Sequence, residues 1–214
     1  MNRTYFKSVG LSIFVFLMCI SFSISAAAGG FTKEEQKCIA DLHEAMDGEL
    51  TASVKYADYA KQADKEKLSS IAAMFRATSR AESIHLDNHK KALADLGAPA
   101  YKPKIQKYTV KNTAANLKEV IAAEKYESAK MYPKFKYDAM VCGAEKAVNS
   151  FKYAKGAEET HAKLYAQALA QISHPEKLAS VYYLCPTCGG VYTSRPPKEC
   201  EICGEPSSKF LIIK

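Results

Sequence analysis

Two Glu-x-x-His motifs, Glu82-Ser-Ile-His85 and Glu158-Glu-Thr-His161, place a carboxylate and an imidazole on one face of a helix. That spacing suits chelation of one metal ion by each motif. One such motif arises by chance on a solvated helix, but these two have company. Glu49 shares a face with Ala45, Ala52 and Tyr56, while Ile71, Met74, Phe75 and Thr78 lead to Glu82 and His85. Leu117 and Ile121 precede Glu124, Glu127 and Met131; Phe151 and Ala154 precede Glu158 and His161, then Tyr165 and Leu169. Each apolar stripe is thus interrupted by acid. Burying five carboxylates unpaired would cost many kcal/mol, so cations are expected among them. Two ferrous or two ferric ions nearly cancel the five negative charges in either state, which permits redox cycling.

The levels agree as well. The midpoint between Glu49 and Glu82 falls in the polar run 63–67, and that between Glu127 and His161 lies beside Gly143. In two antiparallel hairpins these residues sit at one height. Glutamates of the opposing helices are then expected to bridge the two ions that the Glu-x-x-His pairs chelate. His43 and His89 fall outside this pattern and read most simply as helix-surface histidines, although His89 lies one turn beyond His85.

A second constellation closes the chain. Cys185-Pro-Thr-Cys188-Gly189 and Cys200-Glu-Ile-Cys203-Gly204 are two Cys-x-x-Cys-Gly knuckles, and four such thiolates bind one tetrahedral metal. Zinc is the common structural occupant and disulfides are the alternative for an exported chain. An adjacent redox bundle favours iron, because it needs an electron inlet. Cys38 and Cys142 remain, and they meet as a disulfide if the first helix starts where the third ends.

The elements that must hold these groups follow from punctuation. Thr32-x-x-Glu35 has the form of a capping box. The stretch from Thr32 to Leu96 contains no proline, which predicts helices over 32–63 and 66–96. Gly97-Ala98-Pro99 stops the second, and 97–113 forms a long connection. A third helix, capped by Thr113 and bent at Pro133, is predicted to Val141; Cys142-Gly143 is a tight turn, and a fourth helix runs over 144–172 until His174-Pro175. Two hairpins with one crossover make an all-α, ferritin-like four-helix bundle over 31–175, followed by a small four-cysteine unit at 180–214 that needs a metal staple.

The 214 residues include 48% hydrophobic and 25% charged residues, the composition of a globular protein rather than a disordered or polytopic membrane one. Thirty Lys and Arg against 23 Asp and Glu, scattered and without an arginine-rich run, do not make a nucleic-acid footprint. With no Trp but 13 Tyr and 9 Phe, the aromatic core must use smaller rings. At the N-terminus, Arg3 and Lys7 precede the apolar run Val9–Ile20, and Ala26-x-Ala28 offers a cleavage site: a signal peptide over 1–28 and a periplasmic protein are expected, an uncleaved membrane anchor being the alternative.

Together, Gly48-Glu49, Ala81-Glu82-Ser-Ile-His85, Glu124-Lys-Tyr-Glu127, Met131-Tyr132-Pro133, Glu158-Glu-Thr-His161 and both knuckles resemble the rubrerythrin family across nearly all of 31–214. The resemblance implies a di-iron, carboxylate-bridged site, a rubredoxin-like iron held by Cys185, Cys188, Cys200 and Cys203, and peroxidase activity. It implies that Glu127 and His85 exchange as ligands of one iron with redox state, and that Tyr56 and Tyr132 hydrogen-bond the site. An exported N-terminus, the extra Cys38 and Cys142, and Glu201 depart from the family pattern. Export also removes reduced nicotinamide cofactors as electron donor, leaving an unidentified extracytoplasmic one. The expected reaction is reduction of hydrogen peroxide to water; the rivals are a ferroxidase or iron-handling protein and a structural zinc protein without catalysis. Because Glu158 to Ile172 spans about 21 Å at helical rise, the knuckles are expected far from their own chain's carboxylates, which predicts a head-to-tail homodimer.

Overall fold

The computed structural model describes residues 30–196 and 198–214; the expected signal segment over 1–28 lies outside them. Phe31–Lys214 form one compact unit. Its helices are α1 (Lys33–Lys65), α2 (Ser69–Asp95), α3 (Thr113–Tyr126), α4 (Tyr132–Val141) and α5 (Glu145–Ala170). Among the described residues no helix is long and apolar enough to cross a membrane.

Local chemistry sets the boundaries. The Thr32 hydroxyl accepts from the Glu35 N–H while the Glu35 carboxylate accepts from the Thr32 N–H, so the capping box forms. Gly97 and Gly143 end α2 and α4 with φ of 71° and 74°, conformations that a side chain would penalise. Two expectations fail here. The cap of α3 is Asn112, whose side chain accepts from the Ala115 N–H, and Thr113 is instead its buried first residue. The single helix over 113–141 is also interrupted, by a π-helical turn at Glu127–Met131 that joins α3 to α4. There the Tyr132 N–H reaches back to the Glu127 carbonyl, five residues away. Pro133, which has no N–H and whose ring crowds the preceding turn, sits in the first turn of α4 where both defects are tolerated.

The core is split by the carboxylates. One apolar cluster contains Tyr56, Tyr59, Phe75, Leu117 and Tyr165; the other contains Leu42, Met46, Leu93, Tyr132, Phe135 and Phe151. Along every long helix the acidic residues lie between the two, at the single height expected from the hairpin geometry.

Beyond α5, a 3-10 turn at Pro175–Lys177 reverses the chain. A three-stranded antiparallel sheet follows, β2-β1-β3 in order, with β1 at Tyr182–Leu184, β2 at Val191–Tyr192 and β3 at Leu211–Ile213. Tyr182, Leu184 and Val191 join the first apolar cluster, which seats the sheet on the bundle.

Candidate metal centres

Glu49, Glu82, His85, Glu158 form one group of four potential donors, and Glu82, Glu124, Glu158, His161 a second. All six residues are buried. His85 Nδ1 lies 2.8 Å from Glu82 Oε2, 3.0 Å from Glu158 Oε1 and 3.5 Å from Glu49 Oε1. His161 Nδ1 mirrors it, 2.8 Å from Glu158 Oε2, 3.4 Å from Glu82 Oε1 and 3.6 Å from Glu124 Oε2. Glu82 and Glu158 belong to both groups, so the Glu-x-x-His carboxylates are the shared ones. Glu49 and Glu124 each belong to one, which reverses the bridging assignment read from the sequence. The reason is geometric: the two motifs face each other across α2 and α5, and their carboxylates meet on the midline.

The donor atoms fit metal. Both oxygens of Glu82 and of Glu158, Glu124 Oε2, and the Nδ1 atoms of His85 and His161 are buried without a hydrogen-bond partner. Polar atoms left bare in a protein interior are costly, and cations coordinated by all of them remove that cost. Without metal, protons must do the work. Burial and the Glu49 charge raise the Glu82 pKa, and burial with the Glu82 charge pushes Glu158 up to about 8. Burial opposes protonation of His85 and His161, but the surrounding carboxylates outweigh it and raise both.

Outer contacts fix the ligands. Each imidazole donates its Nε2 proton to a knuckle carbonyl, His85 to Cys188 at 3.0 Å and His161 to Gly189 at 3.1 Å, which leaves Nδ1 free for metal. The Tyr56 hydroxyl donates to Glu124 Oε1 at 2.7 Å, and Tyr132 donates to Glu49. Tyr56 follows Glu49 by seven residues on α1, whereas Tyr132 follows Glu124 by eight. The extra residue is absorbed by the π turn, and the two halves thereby become symmetric.

Glu127 stands at the start of that π turn, half-buried and outside both donor groups. Burial and the charges of Glu124, Glu158, Glu49 and Glu82 raise its pKa well above the ordinary carboxylate range. His89, read as a surface residue, is fully buried: Nδ1 lies 2.7 Å from Ser150 Oγ and Nε2 lies 3.4 Å from the Tyr132 hydroxyl. Its position four residues after His85, on the same face, was the available signal. His43, by contrast, stacks on Tyr101 with ring centroids 3.9 Å apart, away from the donor groups.

The four knuckle thiols Cys185, Cys188, Cys200 and Cys203 converge, with Sγ separations of 3.5 Å for Cys185–Cys203 and 3.4 Å for Cys188–Cys200. In each knuckle the glycine N–H donates to the first cysteine's carbonyl, and Gly189 and Gly204 both adopt φ of 76°. The expectation that these knuckles lie far from their own carboxylates is wrong. Helical rise measures only the length of α5; the 3-10 turn sends the chain back along α2 and α5, and the first knuckle lands on His85 and His161. The Asn88 amide donates to the Thr187 carbonyl at 2.8 Å, adding to the docking. Cys38 and Cys142 are free thiols, and burial together with hydrogen bonding to Cys142 pushes Cys38 up to about 12.

Comparison with known proteins gives a consistent picture. The family model described as Rubrerythrin matches residues 41–169. Nigerythrin of Nitratidesulfovibrio vulgaris is 34% identical over 170 residues, 79% of this chain and 83% of that protein. Rubrerythrin-2 of Clostridium acetobutylicum is 30% identical over 174 residues, 79% of this chain and 92% of that one. The structure of fully reduced, all-ferrous nigerythrin superposes with a TM-score of 0.76 at 30% identity, covering 88% of this chain and 91% of that chain. A Desulfovibrio desulfuricans bacterioferritin aligns with a TM-score of 0.64 at 20% identity, over 79% of this chain and 99% of that one, a likeness of fold alone.

Proposed function

The chain belongs to the rubrerythrin family, and from that membership and the geometry of its two metal centres we propose a peroxidase that reduces hydrogen peroxide to water. A di-iron pair and a single iron held by four cysteines are the cofactors that the donor sets fit. When bound, the iron pair would supply the two electrons that break the O–O bond, with iron held by the four thiolates as their source. The balance is one peroxide, two protons and two electrons giving two waters.

The observation that carries this reading is the pair of hydrogen bonds from His85 and His161 to the carbonyls of Cys188 and Gly189. They join the four-cysteine site to the carboxylate site through one peptide unit and one imidazole. In a zinc staple or a ferroxidase the same bonds would serve only to orient the imidazoles.

The roles assigned to the chain's residues follow. Glu82 and Glu158, shared by the two donor groups, would hold both ions, with Glu49 and His85 completing one position and Glu124 and His161 the other. Glu127, whose pKa burial and the neighbouring carboxylates raise, would be the alternative donor to His85. Tyr56 and Tyr132 orient Glu124 and Glu49 through the hydroxyl protons they donate to them. With both sites loaded, electron transfer would run within one chain; two head-to-tail copies that exchanged their C-terminal units would reproduce the same contacts. Chains lacking the knuckle cysteines, mixed with chains lacking Glu82, distinguish the two, because only exchange restores turnover. The signal-like segment supports an exported protein served by an extracytoplasmic donor, which N-terminal sequencing of the mature protein and cell fractionation test.

The deciding experiment is anaerobic reduction of the iron-loaded protein followed by mixing with hydrogen peroxide or dioxygen. Return of the ferric-thiolate bands, fast with peroxide and much slower with dioxygen, is expected. A colourless four-cysteine site, or reoxidation no faster than that of an isolated iron tetrathiolate, overturns the reading, and uptake of ferrous iron well beyond the bound complement points to iron handling instead.

A further inference from the structure

The carboxylate site is walled by two apolar clusters and capped by the first knuckle, yet peroxide reduction consumes protons. One buried group has no part in the roles above: His89, at 0% exposure, between Ser150 and Tyr132. Ser150 lines a groove of about 230 Å³ between α2 and α5, with Asn88, Lys91, Lys146, Asn149 and Tyr153 around it. From the groove inward the links are Ser150 Oγ to His89 Nδ1 at 2.7 Å, His89 Nε2 to the Tyr132 hydroxyl at 3.4 Å, and Tyr132 to Glu49, with His89 Nε2 itself 3.6 Å from Glu49 Oε1. We propose that Ser150, His89 and Tyr132 form the proton path from this groove to Glu49, with His89 as its relay. The proposal rests on the peroxidase reading for its purpose.

Donor bookkeeping supports the direction. Tyr132 spends its proton on Glu49, so its oxygen accepts from His89 Nε2–H, and His89 Nδ1 is left to accept from Ser150 Oγ–H. A proton passed to Nδ1 displaces the one on Nε2 to Tyr132, whose own proton moves to Glu49, and Ser150 is replenished from solvent in the groove. The imidazole ends in its other tautomer and never needs a net charge. A groove alone would be a surface feature; here its floor is the first atom of a buried chain.

The other half of the site supplies the contrast. Four residues after His161 stands Tyr165, the counterpart of His89, packed against Tyr56 with ring centroids 5.8 Å apart. Its hydroxyl donates to Thr78 Oγ1 at 2.6 Å, and Thr78 donates to the carbonyls of Met74 and Phe75. That branch ends inside the helix α2, among buried residues. The Tyr132 side, by contrast, reaches the groove at Ser150.

The test follows protons rather than turnover. The fully oxidised, iron-loaded protein is reduced anaerobically in weak buffer with a pH-indicator dye, because electrons added to a buried site draw protons in after them. In the wild type, proton uptake should keep pace with reduction. His89→Gln retains a donor to Tyr132 but has no second ring nitrogen to exchange, so it should slow uptake at least about 10-fold while iron content and the di-iron spectrum stay unchanged. Ser150→Ala should slow uptake similarly, and Thr78→Val, on the blind branch, should not. Wild-type uptake in His89→Gln, or in Ser150→Ala should the first variant lose iron, overturns the path. Since no peroxide is present, a wild type that ignores peroxide would overturn the peroxidase reading and leave this result standing.

Discussion

Gly189 carries two constraints at once: φ of 76°, and a position where a Cβ would come within 2.3 Å of His85 Nε2. Gly204 shares the φ of 76° but faces open space. Gly189→Ala should therefore push the first knuckle off the histidines and slow electron return from the thiolate-held iron by at least about 10-fold, the low end for lost outer-shell contacts. Gly204→Ala should cost only the backbone strain, about 1–2 kcal/mol. Ferric-thiolate bands retained in both, with slowed internal transfer in the first alone, is the expected result of stopped-flow measurement. Sharing makes a similar distinction among the carboxylates. Glu82→Ala removes a donor from both groups and should empty both positions, whereas Glu49→Ala touches one. Iron analysis, with the thiolate-held iron as internal reference, reads the difference. Tyr132→Phe leaves every donor in place and should cost roughly 10–100-fold in affinity or rate.

At the scale of elements, the π turn is what makes the two halves equivalent. One residue advances an α-helix by about 100°, so deleting Ala129, which closes the π turn into a regular helix, should leave Tyr132 seven residues after Glu124, the spacing that Tyr56 has from Glu49, and still facing Glu49. The deletion is therefore expected to keep the hydrogen bond from Tyr132 to Glu49 and the packing of Phe135, and so not to reproduce the Tyr132→Phe defect; a crystal structure and thermal unfolding check the two parts. Much of this level was legible in the chain. The capping box, Gly97, Gly143 and the acid-interrupted stripes located the hairpins and their common height, because those signals are local. Pro133 signalled a fault in the third helix but not its form: a bend and an inserted residue satisfy the missing N–H equally well, and which one occurs depends on what Tyr132 meets across the bundle.

The whole molecule shows how strongly the site depends on its cations. In the metal-free chain Glu158 is pushed from 4.5 up to about 8, so the folded state keeps a proton that the unfolded state releases between those values. The stability this contributes is present below the unfolded value and lost as pH rises through about 8. His85 and His161, both raised, act in the same direction above their ordinary value of 6.5. Glu49, lowered chiefly by the His85 charge against the cost of burial, works the opposite way only below 4.5. Metal-free protein should therefore unfold at progressively lower temperature from about pH 6 to about pH 9, while the iron-loaded protein stays nearly level; calorimetry across that range compares them.

The amino-acid sequence by itself located six of the seven expected carboxylate and imidazole donors, all but Glu127, together with their common height, the four-helix class and the paired cysteine knuckles. All of these follow from spacing along single helices and tight turns, where neighbours in the chain are neighbours in space. Only the tertiary structure decided which carboxylates are shared, that His89 is buried behind Tyr132, and that the first knuckle rests on the histidines of its own chain. Those outcomes depend on how faces from distant segments meet, and on a short 3-10 turn whose reversal no helical-rise distance contains.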